Sequence, residues 1–203
     1  MADPVTQPRL YAATALGGLT PAVDKVGAWT LTETCDRAIA SVTARNGQDA
    51  VVTQAMETLA QGPVPIGTLR SGARHQVFST AQGQWFVMGD HAQDALLAQS
   101  LKSDLGDAAS VTEQSDGWAV FHLSGAPLAP VLERLVMADL ARLTSGTALR
   151  LLMEHMNVFV LCSATDASVE ILVARSYARS LHHALLTAMQ SAEALLQGAR
   201  TPA

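Results

Sequence analysis

Three segments of the chain repeat one plan, in which an apolar strand is followed by a tight turn and an amphipathic helix. In the segment QWFVMGDHAQDALLAQSL, a strand ends at Met88, the chain turns at Gly89, and a helix follows with Leu97 and Leu101 on one face. A strand and a helix that are each apolar on one side must bury those sides against each other. The plan therefore predicts a sheet covered by helices.

The second and third copies lie further along the chain. In SDGWAVFHLSGAPLAPVLERL, residues 115 to 135, the strand ends before Gly125, and the apolar residues of the helix are Leu128, Val131, Leu132 and Leu135. In the third copy, a strand from Val169 to Val173 precedes a long helix. The apolar stripe of that helix comprises Leu181, Leu185, Ala188, Ala192 and Leu195.

The remaining elements are short and are joined by tight turns. Residues 27 to 34 alternate like a strand, and residues 147 to 163 are typical of a strand pair or a helix end that runs into a buried strand. Residues 48 to 61 predict a helix with Val51, Ala55, Met56 and Leu59 on its inner face. Hairpin-like turns favour antiparallel pairing, so we predict an α+β fold with largely antiparallel sheets and helices packed on one side.

The prolines and glycines near the start of the chain suggest a boundary. Residues 1–22 show no clean period and are interpreted as an extended N-terminal arm. Residues 23–203 then form one α+β domain, and its division into two interleaved α+β halves stays open.

Gly125 raises the question of a phosphate site, because a glycine between a strand and a helix often receives one. A dinucleotide fingerprint needs three glycines, and LSGAPLA has one. Pro127 suits the first turn of a helix, and Ser124 is a candidate cap for it. The pattern favours a structural turn.

No catalytic, cofactor-binding or metal-binding motif is found. The histidines form neither an i, i+4 pair nor an HExxH motif; they are His75, His91, His122, His155, His182 and His183. The two cysteines, Cys35 and Cys162, are expected to be reduced, and Cys162 lies in an apolar run typical of a buried position.

Composition limits the partners. With a net charge of −5 and no basic stripe, nucleic-acid binding is not expected, and no apolar run is long enough for a membrane span. The N-terminus does not resemble a signal peptide, so we expect a cytoplasmic protein. Charged residues make up 15 % of the chain, against roughly 25 % in an ordinary domain. Either another chain covers much of the surface, or the composition reflects an excess of alanine.

The order of several short motifs resembles the gamma subunit of heterotetrameric sarcosine oxidase, over roughly residues 28 to 190. The motifs are SVTARNG from Ser41, PVP from Pro63, WFVMG from Trp85, QSDGWAVFHLSGAPLAPVLERL from Gln114, ADL from Ala138 and EILVARSYARSLHHAL from Glu170. The resemblance implies a fold similar to the folate-binding domain of the glycine-cleavage T-protein.

The same resemblance implies a non-catalytic subunit of a complex that oxidatively demethylates sarcosine to glycine. Its partners would be the alpha, beta and delta subunits. FAD, FMN, NAD, tetrahydrofolate and zinc are expected in those chains, and no cofactor is expected in this one. Specificity for another N-methyl amino acid stays open, because it would be set in another chain.

Two alternatives come from other classes of protein. One is a stand-alone folate-binding module of the T-protein type, and the other is a small hydrolase whose triad is assembled from distant residues. For a subunit, we predict partner contacts at Arg175, Tyr177 and Arg179, since arginine and tyrosine are common interface anchors. The competing interpretation places Arg175 in an internal salt bridge and Tyr177 in the core.

Overall fold

The structure, a computed structural model, describes residues 12 to 200, with side chains to residue 198. Within these residues there are eleven strands and four α-helices. In chain order they are β1 (Val23–Val26), β2 (Trp29–Thr34), β3 (Arg37–Ala44), α1 (Asp49–Ala60), β4 (Leu69–Ser71), β5 (Gln76–Ala81), β6 (Gln84–Asp90), α2 (Leu97–Leu105), β7 (Ala109–Glu113), β8 (Trp118–Ser124), α3 (Ala129–Leu132), β9 (Thr147–Met153), β10 (Met156–Ala164), β11 (Ser168–Ala174) and α4 (Ala178–Arg200). None of the helices in this part of the chain is both long and apolar enough to cross a membrane.

The strands form two antiparallel sheets. The first sheet has the order β1-β2-β8-β11-β10-β9, and the second has the order β4-β5-β6-β3-β7. All strands of the second sheet lie between β2 and β8 in the sequence. The second sheet is therefore nested within the first along the chain.

The two sheets pack face to face, and helices cover their outer faces. Successive side chains of β3 point to opposite faces of the second sheet. Ala38, Ala40 and Val42 face α1 and α2, whereas Ile39 faces the first sheet. In the same way, Phe121 of β8 packs under α4, whereas Val120 packs between the sheets. The layers run helix, sheet, sheet, helix, which confirms the predicted α+β class with helices on one side of each sheet.

Aromatic rings fill the space between the sheets. Phe78 and Phe86 of the second sheet contact Phe159 of the first, with ring centroids 5.3 and 5.7 Å apart, and Trp118 lies 5.5 Å from Phe159. Edge-on and tilted ring pairs at these distances are favourable. This layer fixes how the two sheets sit on each other.

The buried faces of α1 and α4 each differ in part from the faces predicted from the sequence. In α1 the buried residues are Val52, Met56 and Ala60, and Val51 is exposed, because the inward face is rotated by one residue. In α4 the buried stripe includes Leu181, Leu185, Ala188 and Ala192 as predicted. It then drifts to Leu196, which packs against the core and leaves Leu195 exposed.

Candidate interaction surface

The turn at Gly125 is a close backbone contact. Gly125 has φ +120°, and a Cβ there would lie 2.3 Å from the carbonyl oxygen of Ala28. At the start of β2, which pairs with β8, the indole N–H of Trp29 donates to the carbonyl of Pro127 at 2.7 Å. Glycine is needed because β8 ends against the start of β2.

A carboxylate of the chain itself occupies the place where a phosphate would bind. Oδ1 of Asp166, in the turn between β10 and β11, accepts the N–H groups of Leu128 at 2.7 Å and Ala129 at 2.9 Å. These are free donors at the start of α3. The predicted structural turn is confirmed, but the residue that caps α3 is Asp166 and not Ser124. β11 pairs with β8, and this pairing places the β10–β11 turn, with Asp166, beside the start of α3.

The described histidines do not assemble a hydrolase triad. His122 pairs with the hydroxyl of Ser168 at 2.7 Å, whereas His182 pairs with the carboxylate of Asp24 at 2.8 Å. In the part of the chain that the structure describes, no histidine joins a serine to an acid, and no three ligand-type side chains cluster as a metal site would require.

The two cysteines differ in exposure. Cys162 is fully buried as predicted, and burial raises the pKa of its thiol. Cys35 is exposed at the corner between β2 and β3. Partial burial, followed by the charges of Glu33 and Asp36, raises the pKa of its thiol, against a lowering effect of Arg175. Neither thiol has the lowered pKa of a nucleophilic cysteine.

The residues predicted as partner contacts lie where β11 leads into α4. Arg175 donates to the carbonyl of Ala13 at 2.9 Å, and Arg179 donates to the carbonyl of Leu16 at 3.4 Å. Tyr177 is 51 % exposed, so it is not a core residue. The two arginines therefore bind the chain's own N-terminal segment, and Tyr177 and Arg179 are exposed while Arg175 is half-buried.

Glu33 holds the same N-terminal segment from the other side. Its carboxylate is 2 % exposed and accepts the N–H groups of Leu16 at 2.9 Å and Ala22 at 3.2 Å. Sequence reasoning missed this role. The signal was the alternation of β2, which places Glu33 on the buried face with Trp29 and Leu31.

Tyr177 borders a groove of about 650 Å³ that runs along α4. The floor is apolar and includes Leu135, Met156, Ala184 and Ala188. Charged and polar side chains form the rim, and they include Arg134, Glu154, His155 and His183. An apolar centre with a polar rim is the usual arrangement of a protein-binding surface.

A second groove, of about 520 Å³, continues from the first. It shares Arg134, Leu135 and Glu154 with the groove along α4 and extends to Met137 and to β9. Met137 and Leu152 are among the exposed large apolar residues of the described chain. The two grooves together form one apolar surface, which we call the α4–β9 surface.

Comparison with known proteins defines the fold. No family model and no curated protein matches the chain. A chain of the solved heterotetrameric sarcosine oxidase from Corynebacterium sp. U-96, in complex with pyrrole 2-carboxylate, is similar with a TM-score of 0.70 at 20 % identity. The match covers 81 % of this chain and 85 % of that chain.

Glycine cleavage system aminomethyltransferase T from Bartonella henselae is similar with a TM-score of 0.58 at 16 % identity, over 77 % of this chain and 45 % of that chain. The chain thus has an α+β fold of the T-protein type, as the resemblance implied. It spans less than half of the aminomethyltransferase and most of one chain of heterotetrameric sarcosine oxidase.

Proposed function

We propose that this chain is the non-catalytic gamma subunit of a heterotetrameric sarcosine oxidase in the cytoplasm. It supports the flavin-bearing chains that oxidatively demethylate sarcosine to glycine. The observation that carries the proposal is the match to a chain of such a complex over most of both chains. The motif order from Ser41 to Leu185 supports the same assignment independently of the fold.

The α4–β9 surface supports a subunit role. Its apolar floor, its polar rim and the exposed Tyr177 and Met137 favour contact with a larger chain. Alpha, beta and delta chains are the proposed partners. FAD, FMN, NAD, tetrahydrofolate and zinc are proposed to be bound by those chains.

The test is purification of the tagged chain from its own host under mild conditions. We expect larger chains to accompany it, with the visible absorption of flavin and with sarcosine-dependent production of hydrogen peroxide. A parallel purification of Tyr177→Ala should recover less of the complex. Val51→Ala, on the exposed side of α1, is the matched control and should recover as much as the wild type.

A colourless monomer that is recovered alone would contradict the proposal. A flavin complex that is active only on another N-methyl amino acid would retain the subunit role and change the substrate. A second candidate, a stand-alone folate-binding module, is favoured by the likeness to aminomethyltransferase T. It would be supported by a monomer that binds tetrahydrofolate.

A further inference from the structure

β7 is the outer strand of the second sheet, and one of its two edges is unpaired. β3 pairs with one side of β7, and no strand or isolated bridge of the described residues pairs with the other side. On the face towards α2, Ala109 is buried and Val111 is half-buried, whereas Ser110 and Thr112 on the opposite face are exposed. An edge strand of this kind offers its backbone groups for pairing with another chain.

The register of β7 identifies the backbone groups that point away from β3. The N–H of Gln114 donates to the carbonyl of Ile39 at 2.8 Å, so residue 114 points towards β3. The pairing of β7 with β3 has no irregularity, and alternate residues of an antiparallel strand point to the same side. Residues 109, 111 and 113 therefore point outward. The N–H and C=O groups of Val111 and Glu113 have no hydrogen-bond partner among the described residues.

The start of this edge is closed by the chain itself. Nζ of Lys102, in α2, donates to the outward carbonyl of Ala109 at 3.2 Å and also to the carbonyl of Gly106. A lysine beside an edge strand limits pairing with other strands. Pairing is therefore confined to residues 111 to 113, and only the four groups of Val111 and Glu113 are available for it.

Lys102 and Glu113 place opposite charges at the two ends of the open edge. Oε1 of Glu113 accepts the N–H groups of Gln114 at 3.0 Å and Ser115 at 2.9 Å, so the carboxylate lies beside residue 115. The ammonium group of Lys102 lies beside Ala109. Neither side chain forms an ion pair with another described residue.

We propose that two copies of this chain pair through β7 as antiparallel strands, with a two-fold axis at Thr112. In this register Val111 of each copy lies opposite Glu113 of the other. Four hydrogen bonds form between the copies, and they use all four free groups of each strand. The second sheets of the two copies then join into one continuous sheet.

The same register makes the charges complementary, which favours a second copy over an unrelated strand. Residue 115 of one copy lies opposite Ala109 of the other, so the carboxylate of Glu113 approaches the ammonium group of Lys102 across the axis. The two-fold axis forms this ion pair twice. Thr112 faces its own copy, and threonine pairs are favourable between strands. The contact shares no residue with the α4–β9 surface and does not rest on the proposed function.

The test is a pair of charge reversals in the full chain, measured by sedimentation from micromolar to millimolar concentration. We expect the wild type to dimerise. Lys102→Glu and Glu113→Lys each place like charges together twice, so each variant alone should dimerise at least ten-fold more weakly. In a mixture of the two variants both ion pairs are attractive, so the mixed dimer should form within about three-fold of the wild-type affinity.

The mixture also controls for folding, because a variant that is misfolded would not be rescued by the other. Glu133→Lys, on the exposed side of the first sheet's helix α3, changes the net charge as Glu113→Lys does and should dimerise like the wild type.

A disulfide tests the register. In a Cys35→Ser background, Thr112→Cys should give a covalent dimer on mild oxidation, because the two Cα atoms of such a pair lie about 4.5 Å apart. Ser110→Cys is the matched control on the same exposed face of β7. The two copies of residue 110 are four residues out of register, about 13 Å apart, and should not cross-link.

A wild-type chain that stays monomeric at millimolar concentration would overturn the proposal. So would a mixture of the two charge variants that dimerises no better than either variant alone, or equal cross-linking at residues 110 and 112. Failure of the proposed function is a separate result, since it is read from the larger chains that accompany the tagged protein.

Discussion

At the scale of single residues, Gly125 is a position where both the backbone conformation and the nearby backbone atoms exclude a side chain. Its φ of +120° strains any other residue, and an added Cβ would lie 2.3 Å from the Ala28 carbonyl oxygen. Gly125→Ala should lower the free energy of unfolding by about 2–5 kcal/mol, because left-handed strain and overpacking add. Urea unfolding measures the change.

Gly47 provides the matched control for strain without crowding. It has φ +76°, and nothing lies within 4 Å of a Cβ built there. Gly47→Ala should cost only the conformational part, about 1–2 kcal/mol. Equal losses in the two variants would mean that the contact between β8 and β2 relaxes without cost.

Asp166 is the second residue with a distinct role, because its carboxylate caps a helix in another segment. Asp166→Ala removes the acceptor of two N–H groups and places alanine at φ +52°, so we expect a loss of about 2–3 kcal/mol in stability. Asp166→Asn keeps an acceptor and tolerates that backbone conformation, so it should retain most of the stability. An asparagine variant as unstable as the alanine variant would show that negative charge, and not the hydrogen bonds, is what α3 needs.

At the scale of elements, the attachment of residues 12 to 22 depends on Glu33. Glu33→Ala leaves the partly buried N–H groups of Leu16 and Ala22 without their acceptor, and each should cost about 1 kcal/mol, the low end of the cost of an unsatisfied donor. We expect hydrogen exchange at these two amides to accelerate at least ten-fold, while amides of β10 and β11 change little. Arg179→Ala removes only a weaker bond of 3.4 Å and should have a smaller effect.

If the exchange of β10 amides accelerates as much as that of Leu16, Glu33 stabilises the whole domain and not the segment. The two cases are distinguishable because β10 is an interior strand of the first sheet, paired with β11 on one side and β9 on the other. A strand paired on both sides opens mainly through global unfolding, whereas a surface segment opens locally.

The elements themselves were largely predictable from the sequence, and their partners were not. The stripe of Leu181, Leu185, Ala188 and Ala192 is long enough to define both α4 and its inner face. The cap of α3 was assigned to Ser124 because sequence reasoning sees neighbours along the chain. Asp166 reaches α3 through the pairing of β8 with β11, which no local pattern contains.

At the scale of the whole molecule, an ion pair joins the two sheets. Arg37 of β3 in the second sheet pairs with Glu170 of β11 in the first, and the glutamate is almost fully buried. Arg37→Ala leaves that carboxylate without its counter-charge and should cost about 3–5 kcal/mol. The double variant Arg37→Met with Glu170→Leu removes both charges and should recover most of the loss.

Urea unfolding of the wild type, Arg37→Met alone, Glu170→Leu alone and the double variant gives the coupling between the two side chains. Additive losses would mean that the sheets are held by their apolar layer alone. The single loss at Arg37 should exceed that at Arg45, whose pairing with Asp107 is exposed.

The stacking of the sheets could not be predicted from the sequence. The run WFVMG in β6 is apolar on both faces because Trp85 and Val87 face the helices while Phe86 and Met88 face the other sheet. Such a run does not reveal what covers each face. The α4–β9 surface escaped prediction for the same reason, since Leu135, Met156 and Ala184 read as ordinary core residues and meet only after folding.

The nesting of the second sheet within the first has a consequence for the order of assembly. β2 and β8 are neighbours in the finished sheet, yet the whole segment from Arg37 to Glu113 separates them in the chain. β3 and β7 are paired, so this segment begins and ends at adjacent points. When the inner segment folds first, it holds the end of β2 close to the start of β8. The loop that must close before β2 and β8 pair is then short, which lowers its entropic cost, and the other strands of the first sheet can add to this pair.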